Sequence, residues 1–198
     1  DEMAINLYLV RHGQTWFNKQ HRMQGSCDSA LTPLGIKQAQ AVRDYFQTQG
    51  ITFARTYCST QERASDTLEI IAGPETEYVR LKELKEKDYG SFEAHNALLW
   101  PLHRLGKFRV EDDREVVERM ERGINLIMRD AQDDDNILVV GHGDSLSQYI
   151  NETTNHREFL GLPNCSFVQL TSNEGSNLEY VRTEWPAKAV KIDQITGE

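Results

Sequence analysis

The sequence has little cysteine, no long apolar run and no basic excess, and each shortage closes off a class of function. Cys27, Cys58 and Cys165 are widely spaced, odd in number and form no CxxC pair. That disfavours a disulfide framework or a zinc site and points to reduced thiols, as expected of a cytoplasmic protein. No window approaches the ~18 to 20 apolar residues of a membrane-spanning helix, so no membrane partner is expected. Asp1-Glu2-Met3 carries neither the basic nor the apolar region of a secretory leader, and Met3 is expected to be the natural start. The net charge of −9 argues against non-specific nucleic-acid binding, which needs a basic face. Should the ligand be an anion, positive charge must be concentrated locally. Repeats, low-complexity segments and interdomain linkers are also missing. The 198 residues, 38% hydrophobic and 27% charged, are therefore expected to form one soluble domain over 1–198 with a cap segment at about 90–114.

What is present begins with Leu7-Tyr8-Leu9-Val10, a β-prone run that stops abruptly at Arg11-His12-Gly13. Placing a cation and an imidazole at the end of a buried strand costs desolvation energy, and in open α/β sheets that end is where ligands bind. Thr32-Pro33 then reads as an N-cap with proline at the first helical position, Leu34, Ala39, Val42, Tyr45 and Phe46 follow helical spacing, and Gly50 closes the helix. A second strand is expected over Ile51 to Cys58, and a capping box in Ser59-Thr60-Gln61-Glu62 opens a helix that runs to about Ala72 before Gly73-Pro74. Alternation from Tyr78 to Glu83 suggests a short third strand.

From Gly90 to Arg109 the pattern weakens to one or two short helices, a lid in which Trp100, Leu102, Leu105 and Phe108 read as core. His95 and His103 read as lid surface or substrate contacts, since no carboxylates cluster with them. Val116, Val117, Met120, Ile124, Ile127, Met128 and Ala131 define one apolar face of a long helix ending at a solvated Asp133-Asp134-Asp135 turn. Ile137-Leu138-Val139-Val140 is the unbroken apolar run of a central strand, ending in Gly141-His142-Gly143 before a helix from Asp144. Phe167–Thr171 and Leu178–Thr183 read as a hairpin around Asn173-Glu174-Gly175-Ser176-Asn177, and the last dozen residues as a tail. Strands alternating with helices predict a three-layer α/β/α sandwich with a mostly parallel sheet.

Two strands thus end in a histidine, at His12 and His142. A neutral imidazole is a competent nucleophile towards phosphorus, and two in one site must differ in role. Glycine beside each lets a bound group approach the backbone, and the helix near Asp144 would aim its N–H groups at an anion. Arg63, in the first turn of its helix, should face the same sheet edge. Two guanidiniums and two imidazoles describe a pocket for a compact dianion, with phosphate the obvious candidate.

The order and spacing of these residues resemble the histidine phosphatase superfamily, also called the phosphoglycerate mutase-like family. The matching pieces are Arg11-His12-Gly13-Gln14-Thr15 with Asn18; Gln24-Gly25; Asp28-Ser29-Ala30-Leu31-Thr32 with Gly35; Ser59, Arg63-Ala64 and Thr67; Leu84, Glu86 and Tyr89-Gly90; and Gly141-His142-Gly143. An RHG triplet alone is weak, whereas six blocks in family order are specific. The resemblance implies that His12 attacks phosphorus and becomes a phosphohistidine, while Arg11, Arg63 and His142 hold the phosphoryl oxygens. It implies further phosphate or substrate contacts at Asn18, Gln24, Gly25, Tyr89 and Gly143. Glu86 matches the family's proton donor, with Glu83 the competing candidate, and must be protonated at some stage, so an acidic optimum is expected. No cofactor and no metal are expected, because the arginines neutralise the charge.

Within the family the expected activity is a phosphomonoester hydrolase, a metal-independent acid-type phosphatase acting on a small phosphorylated metabolite. The alternative is a cofactor-dependent phosphoglycerate mutase-type phosphotransferase, which Tyr89 keeps open. A mutase shields its phosphohistidine from water, and the mutases resembled here carry a long insertion after the glutamate motif, whereas this cap is short. A non-catalytic phosphate-binding module ranks last, because such members typically lose the nucleophile, the arginines or the acid. Arg104, Lys107 and Arg109 in the lid would suit a sugar phosphate or a multiply phosphorylated ligand; its aromatics would suit an apolar leaving group. Substrate identity and oligomeric state are not legible.

Overall fold

The computed structural model describes residues 4–106, 108–156, 161–173 and 177–191. Its strands are β1 (Ala4–Arg11), β2 (Arg55–Cys58), β3 (Val79–Arg80), β4 (Asn136–Gly141), β5 (Phe167–Asn173) and β6 (Glu179–Glu184), joined in one sheet of order β3-β2-β4-β1-β5-β6. β3, β2, β4 and β1 are mutually parallel; β5 and β6 are antiparallel additions. The α/β class and the mostly parallel sheet are as expected from sequence.

Alternation along the central strands divides two cores. Leu7, Leu9, Ile137 and Val139 pack on one face with Val116, Met120, Ile124 and Ile127 of α4 (Asp113–Asp130) and Leu146 and Ile150 of α5 (Gly143–Thr154). Tyr8, Val10, Leu138 and Val140 pack on the other with Ala39, Val42 and Phe46 of α2 (Pro33–Thr48) and Ala64 and Leu68 of α3 (Glu62–Ala72). Each fully buried Leu, Ile, Val or Met contributes roughly 1.5–3 kcal/mol. α1 (Trp16–Lys19) is one short turn in the loop that leaves β1.

Several local readings hold. Thr32 caps α2 by accepting the Gly35 N–H, with Pro33 first in the helix, and Gly50 follows the end at φ +66°. α4 starts at a capping box formed by Asp112 and Glu115. Others need correction. The second strand covers only Arg55–Cys58, and the third only Val79–Arg80, both exposed, before a 3-10 turn at Lys82–Leu84. Ser59 does not cap α3: the cap position is Gln61, and the Glu62 N–H is taken by Asp28 Oδ2 at 2.6 Å. Asp135 is no merely solvated residue, since its carboxylate pairs with Arg55 and accepts the Gln132 N–H. The lid comprises 3-10 turns at Gly90–Phe92 and Ala97–Leu105. Of the residues expected as core, Leu105 is 64% exposed, Leu102 44% and Phe108 38%, and Trp100 is half-buried; Phe92 is buried. A single short layer over Phe92 and Tyr89 cannot cover them. Pro186–Ala189, at the start of the expected tail, forms a 3-10 turn whose Ala187 is buried in the α2 side of the core. Residues 174–176 of the hairpin turn, Lys107 and 192–198 lie outside the described residues. No helix among the described residues is long and apolar enough to cross a membrane.

Candidate active site

The register of β1 against β4 places Arg11 opposite Gly141, so the strands end side by side. The His12 N–H donates to Gly141 O at 3.0 Å, and the two imidazole rings lie 5.2 Å apart. Both are buried. Burial, followed by the charges of Arg63 and Arg11, holds the His12 pKa well below its ordinary value; burial, then Arg63, His12 and Arg11, does the same for His142. Both rings are therefore neutral at pH 7.

Both rings carry their proton on Nδ1, but the nitrogen each leaves free differs. His12 Nδ1 lies 2.7 Å from Gly13 O, and a carbonyl can only accept, so Nδ1 carries the proton and Nε2 presents a lone pair. His142 Nε2 lies 2.7 Å from Ser59 Oγ, which also accepts the Gln61 N–H. A Ser59 hydroxyl that donates to Nε2 leaves the proton on His142 Nδ1, a buried atom without a partner.

The arginines are arranged alike. Arg63, on the first turn of α3, is 1% exposed; Nη1 donates to Cys27 O and Asp28 Oδ1, and Nη2 to Gly25 O at 2.8 Å. Arg11 Nη1 donates to Leu162 O. In both, Nε is buried and unpaired. Arg11 Nε, Arg63 Nε and His142 Nδ1 thus form a set of unsatisfied buried donors. Each such group costs about 1–3 kcal/mol, more when charged, and a dianion would satisfy all three.

Glu86 joins them from the loop after the 3-10 turn at Lys82–Leu84. Its carboxylate accepts the N–H groups of Lys87, Asp144 and Ser145 at 3.0, 3.2 and 2.9 Å, and Gln61 Oε1 holds its N–H at 3.0 Å. Burial, then the Asp144 charge, raises its pKa despite those hydrogen bonds and the Arg63 charge. Glu83 instead backs onto Gly123 of α4, outside this cluster. The start of α5 therefore holds a carboxylate of the protein itself. The expected anion cradle there is corrected: two of its N–H groups, those of Asp144 and Ser145, are spent on Glu86.

The other predicted residues sit around this centre. Asn18 Oδ1 is used inside the protein, accepting the Thr15 N–H and Asn164 Nδ2. Gln24 Nε2 donates to Ser29 Oγ, and Gly25 reaches the cluster through the carbonyl that holds Arg63. Tyr89 donates its hydroxyl to Asp144 Oδ2 at 2.7 Å. The glycines do not open space for a ligand: a Cβ on Gly143 would lie 3.0 Å from Arg11 Nε, and one on Gly13 would lie 2.5 Å from Gly35 O. Among the described residues no group of three or more His, Cys, Asp or Glu side chains is placed to hold a metal ion.

Sequence reasoning gave no site role to four residues. Gln61 links Gly25 to Glu86, and Ser59 orients His142. Asn164 Nδ2 ties His12 O to Asn18. Arg119 donates to the carbonyls of Glu83 and Lys85, each at 2.8 Å, and forks onto the Glu111 carboxylate, bracing the loop that carries Glu86. Its signal was available, because it falls on the buried stripe of Val116, Met120 and Gly123.

Over residues 7–183 the chain matches the family described as the histidine phosphatase superfamily (branch 1). The chain belongs to this superfamily. It is 27% identical over 197 residues to the "Uncharacterized phosphatase PhoE" of Bacillus subtilis, with 93% of each chain covered. It is 30% identical over 205 residues to the "Probable phosphoglycerate mutase GpmB" of Cronobacter sakazakii, covering 96% of this chain and 91% of that one. A phosphoglycerate mutase of Bacillus anthracis has the same fold, with a TM-score of 0.80 at 25% identity over 91% of this chain and 94% of that one. Phosphatases and mutases both stand among its relatives, so superfamily membership alone does not choose the reaction.

Proposed function

We propose that the chain is a phosphomonoester hydrolase that works through a phosphohistidine on His12. The observation that carries this reading is the set of unpaired buried donors, Arg11 Nε, Arg63 Nε and His142 Nδ1, gathered with the unprotonated Nε2 of a neutral His12. The Nε2 lone pair attacks phosphorus, and the ester P–O bond breaks as the N–P bond forms. The leaving oxygen takes the Glu86 proton, while the unpaired donors hold the charge on the phosphoryl oxygens. Water then attacks phosphorus and gives its proton to the Glu86 carboxylate, and the N–P bond breaks, returning the lone pair to His12 Nε2 and releasing inorganic phosphate. In this reading the arginines carry the charge that a metal ion supplies elsewhere, and no cofactor takes part.

The short lid, with exposed leucines, supports hydrolysis over phosphoryl retention, because a short cap is expected to let water reach the intermediate. The named mutase relatives favour the second reading, a bisphosphoglycerate-dependent mutase. The substrate in this reading is a small phosphorylated metabolite, and the net charge of −9 supports a substrate other than nucleic acid. The test is release of phosphate from an aryl phosphate between about pH 5 and 8. The wild type should exceed His12→Ala throughout; equal rates would end the hydrolase reading, and bisphosphoglycerate-dependent interconversion of phosphoglycerates would establish the mutase.

A further inference from the structure

Where the leaving alcohol departs, the protein carries a negative charge that the proposed chemistry does not use. The donor of the leaving proton, Glu86, is seated on the N–H groups of Asp144 and Ser145, which puts the Asp144 side chain beside the acid. Asp144 Oδ2 accepts the Tyr89 hydroxyl at 2.7 Å and Oδ1 accepts Gln148 Nε2 at 3.1 Å. Among the described residues no Lys, Arg or His side chain pairs with it. The Asp144 charge is also, after burial, the strongest influence raising Glu86, as expected of neighbouring carboxylates.

The surroundings reinforce the sign. Asp144 and Gln148 open a cleft of about 600 Å³ whose wall, with Trp100 and His103, sets the carboxylates of Glu111, Asp112, Asp113 and Asp144 against the cations Lys87 and Arg104. Of these two cations, Lys87 is bound to Asp113 and lies over the Trp100 ring, and Arg104 is exposed. Arg109 lines a different cleft, with Lys85 and Glu115. Tyr89, which could have donated to a substrate carboxylate, has its proton committed to Asp144 and is pinned edge-on by Trp100 at 5.3 Å.

We propose that Asp144, tethered by Tyr89, is a specificity-determining residue that rejects phosphomonoesters whose alcohol carries a second anionic group and favours those of cationic alcohols. This rests on the reading that the phosphoryl group sits on Arg11, Arg63 and His142. An anionic leaving group would meet a carboxylate with no cation paired to it, and like charges brought together disfavour recognition. Phosphoglycerates, with a carboxylate on the leaving carbon skeleton, are therefore poor ligands, whereas an amino-alcohol phosphate meets opposite charge.

The experiment reads binding rather than turnover. Inorganic phosphate, phosphorylcholine and 3-phosphoglycerate are titrated calorimetrically into the full chain carrying His12→Ala, alone and combined with Asp144→Asn or Asp144→Glu. Phosphorylcholine should bind tighter than 3-phosphoglycerate, Asp144→Asn should shrink that ratio by roughly tenfold, and Asp144→Glu should retain it. Phosphate affinity reports that each variant keeps its pocket. The inference is overturned if 3-phosphoglycerate binds as well as phosphorylcholine, if the ratio survives Asp144→Asn, or if none of the ligands binds. A chain that shows the expected ratio yet releases no phosphate from any ester sinks the hydrolase reading alone. One that hydrolyses aryl phosphate without charge discrimination sinks this inference alone.

Discussion

The ends of β1 and β4 carry the same residue type in nearly the same place, and the protein treats them differently. His12 gives its Nδ1 proton to a backbone carbonyl, an acceptor that cannot exchange roles. His142 rests its Nε2 on a serine hydroxyl, a group that can donate or accept, and keeps a buried Nδ1 unpaired. One ring is held as a lone pair and the other as a donor. The residue type alone therefore does not assign a catalytic role; the partner on the far side of the ring does.

That contrast can be broken most directly by removing each ring. His12→Ala should lower kcat on an aryl phosphate by at least about 10⁴-fold, the size seen when a nucleophile is lost. His142→Ala should cost about 10²–10³-fold, the size of one lost transition-state donor. Enzyme denatured under alkaline conditions, where the N–P bond survives, should carry a phosphohistidine in the wild type and none in His12→Ala; phosphohistidine retained after that substitution would reverse the roles. Glu86→Gln comes next, at about 10²-fold or more for alkyl esters and less for aryl phosphates, whose leaving oxygen needs no acid.

The pH profile sharpens the same comparison. Glu86 is active in its protonated form and its pKa is raised, so the rate should fall as pH rises through that value and not at the ordinary carboxylate range. His12 is active when neutral and its pKa is lowered, so the acid limb should lie below the usual imidazole range. In Glu86→Gln the alkaline limb should vanish while the acid limb stays. Ser59→Ala should have the smallest effect, roughly tenfold in kcat, by leaving His142 Nε2 unpaired and its tautomer unspecified. An unchanged rate would mean that the serine does not set the difference between the rings.

Much of this could be read from composition and order, for a physical reason. The runs Leu7–Val10 and Ile137–Val140 are buried on both faces, so burial and identity coincide. The clustering of Arg11, His12, Arg63 and His142 followed from strand ends and a helix start, and the place of Glu86 beside them was implied by the resemblance to the superfamily. What failed depended on competition for single hydrogen-bonding groups. Ser59 has the right spacing to cap α3, yet Asp28 from a distant loop takes the Glu62 N–H and the serine turns to His142. The start of α5 has the look of an anion cradle, yet Glu86 reaches it from 58 residues away. Arg119 sits among charges that read as solvent-facing although it falls on the buried stripe of α4, and two of its partners are loop carbonyls, which carry no side-chain signature. The lid read as core because its residues are apolar, but apolarity does not say whether a second layer exists to cover it.

Gly35 contributes no functional group, yet its carbonyl lies where a Cβ on Gly13 would go, and a Cβ of its own would come within 2.1 Å of Gln14 O. The loop behind the nucleophile and the first turn of α2 are thus pressed backbone to backbone. A methyl group at position 35 would act as a wedge, displacing His12 without touching it. Tolerance to substitution in this protein therefore does not track distance from the reacting atoms: a bare stretch of main chain beyond the pocket is as unforgiving as the imidazole it supports.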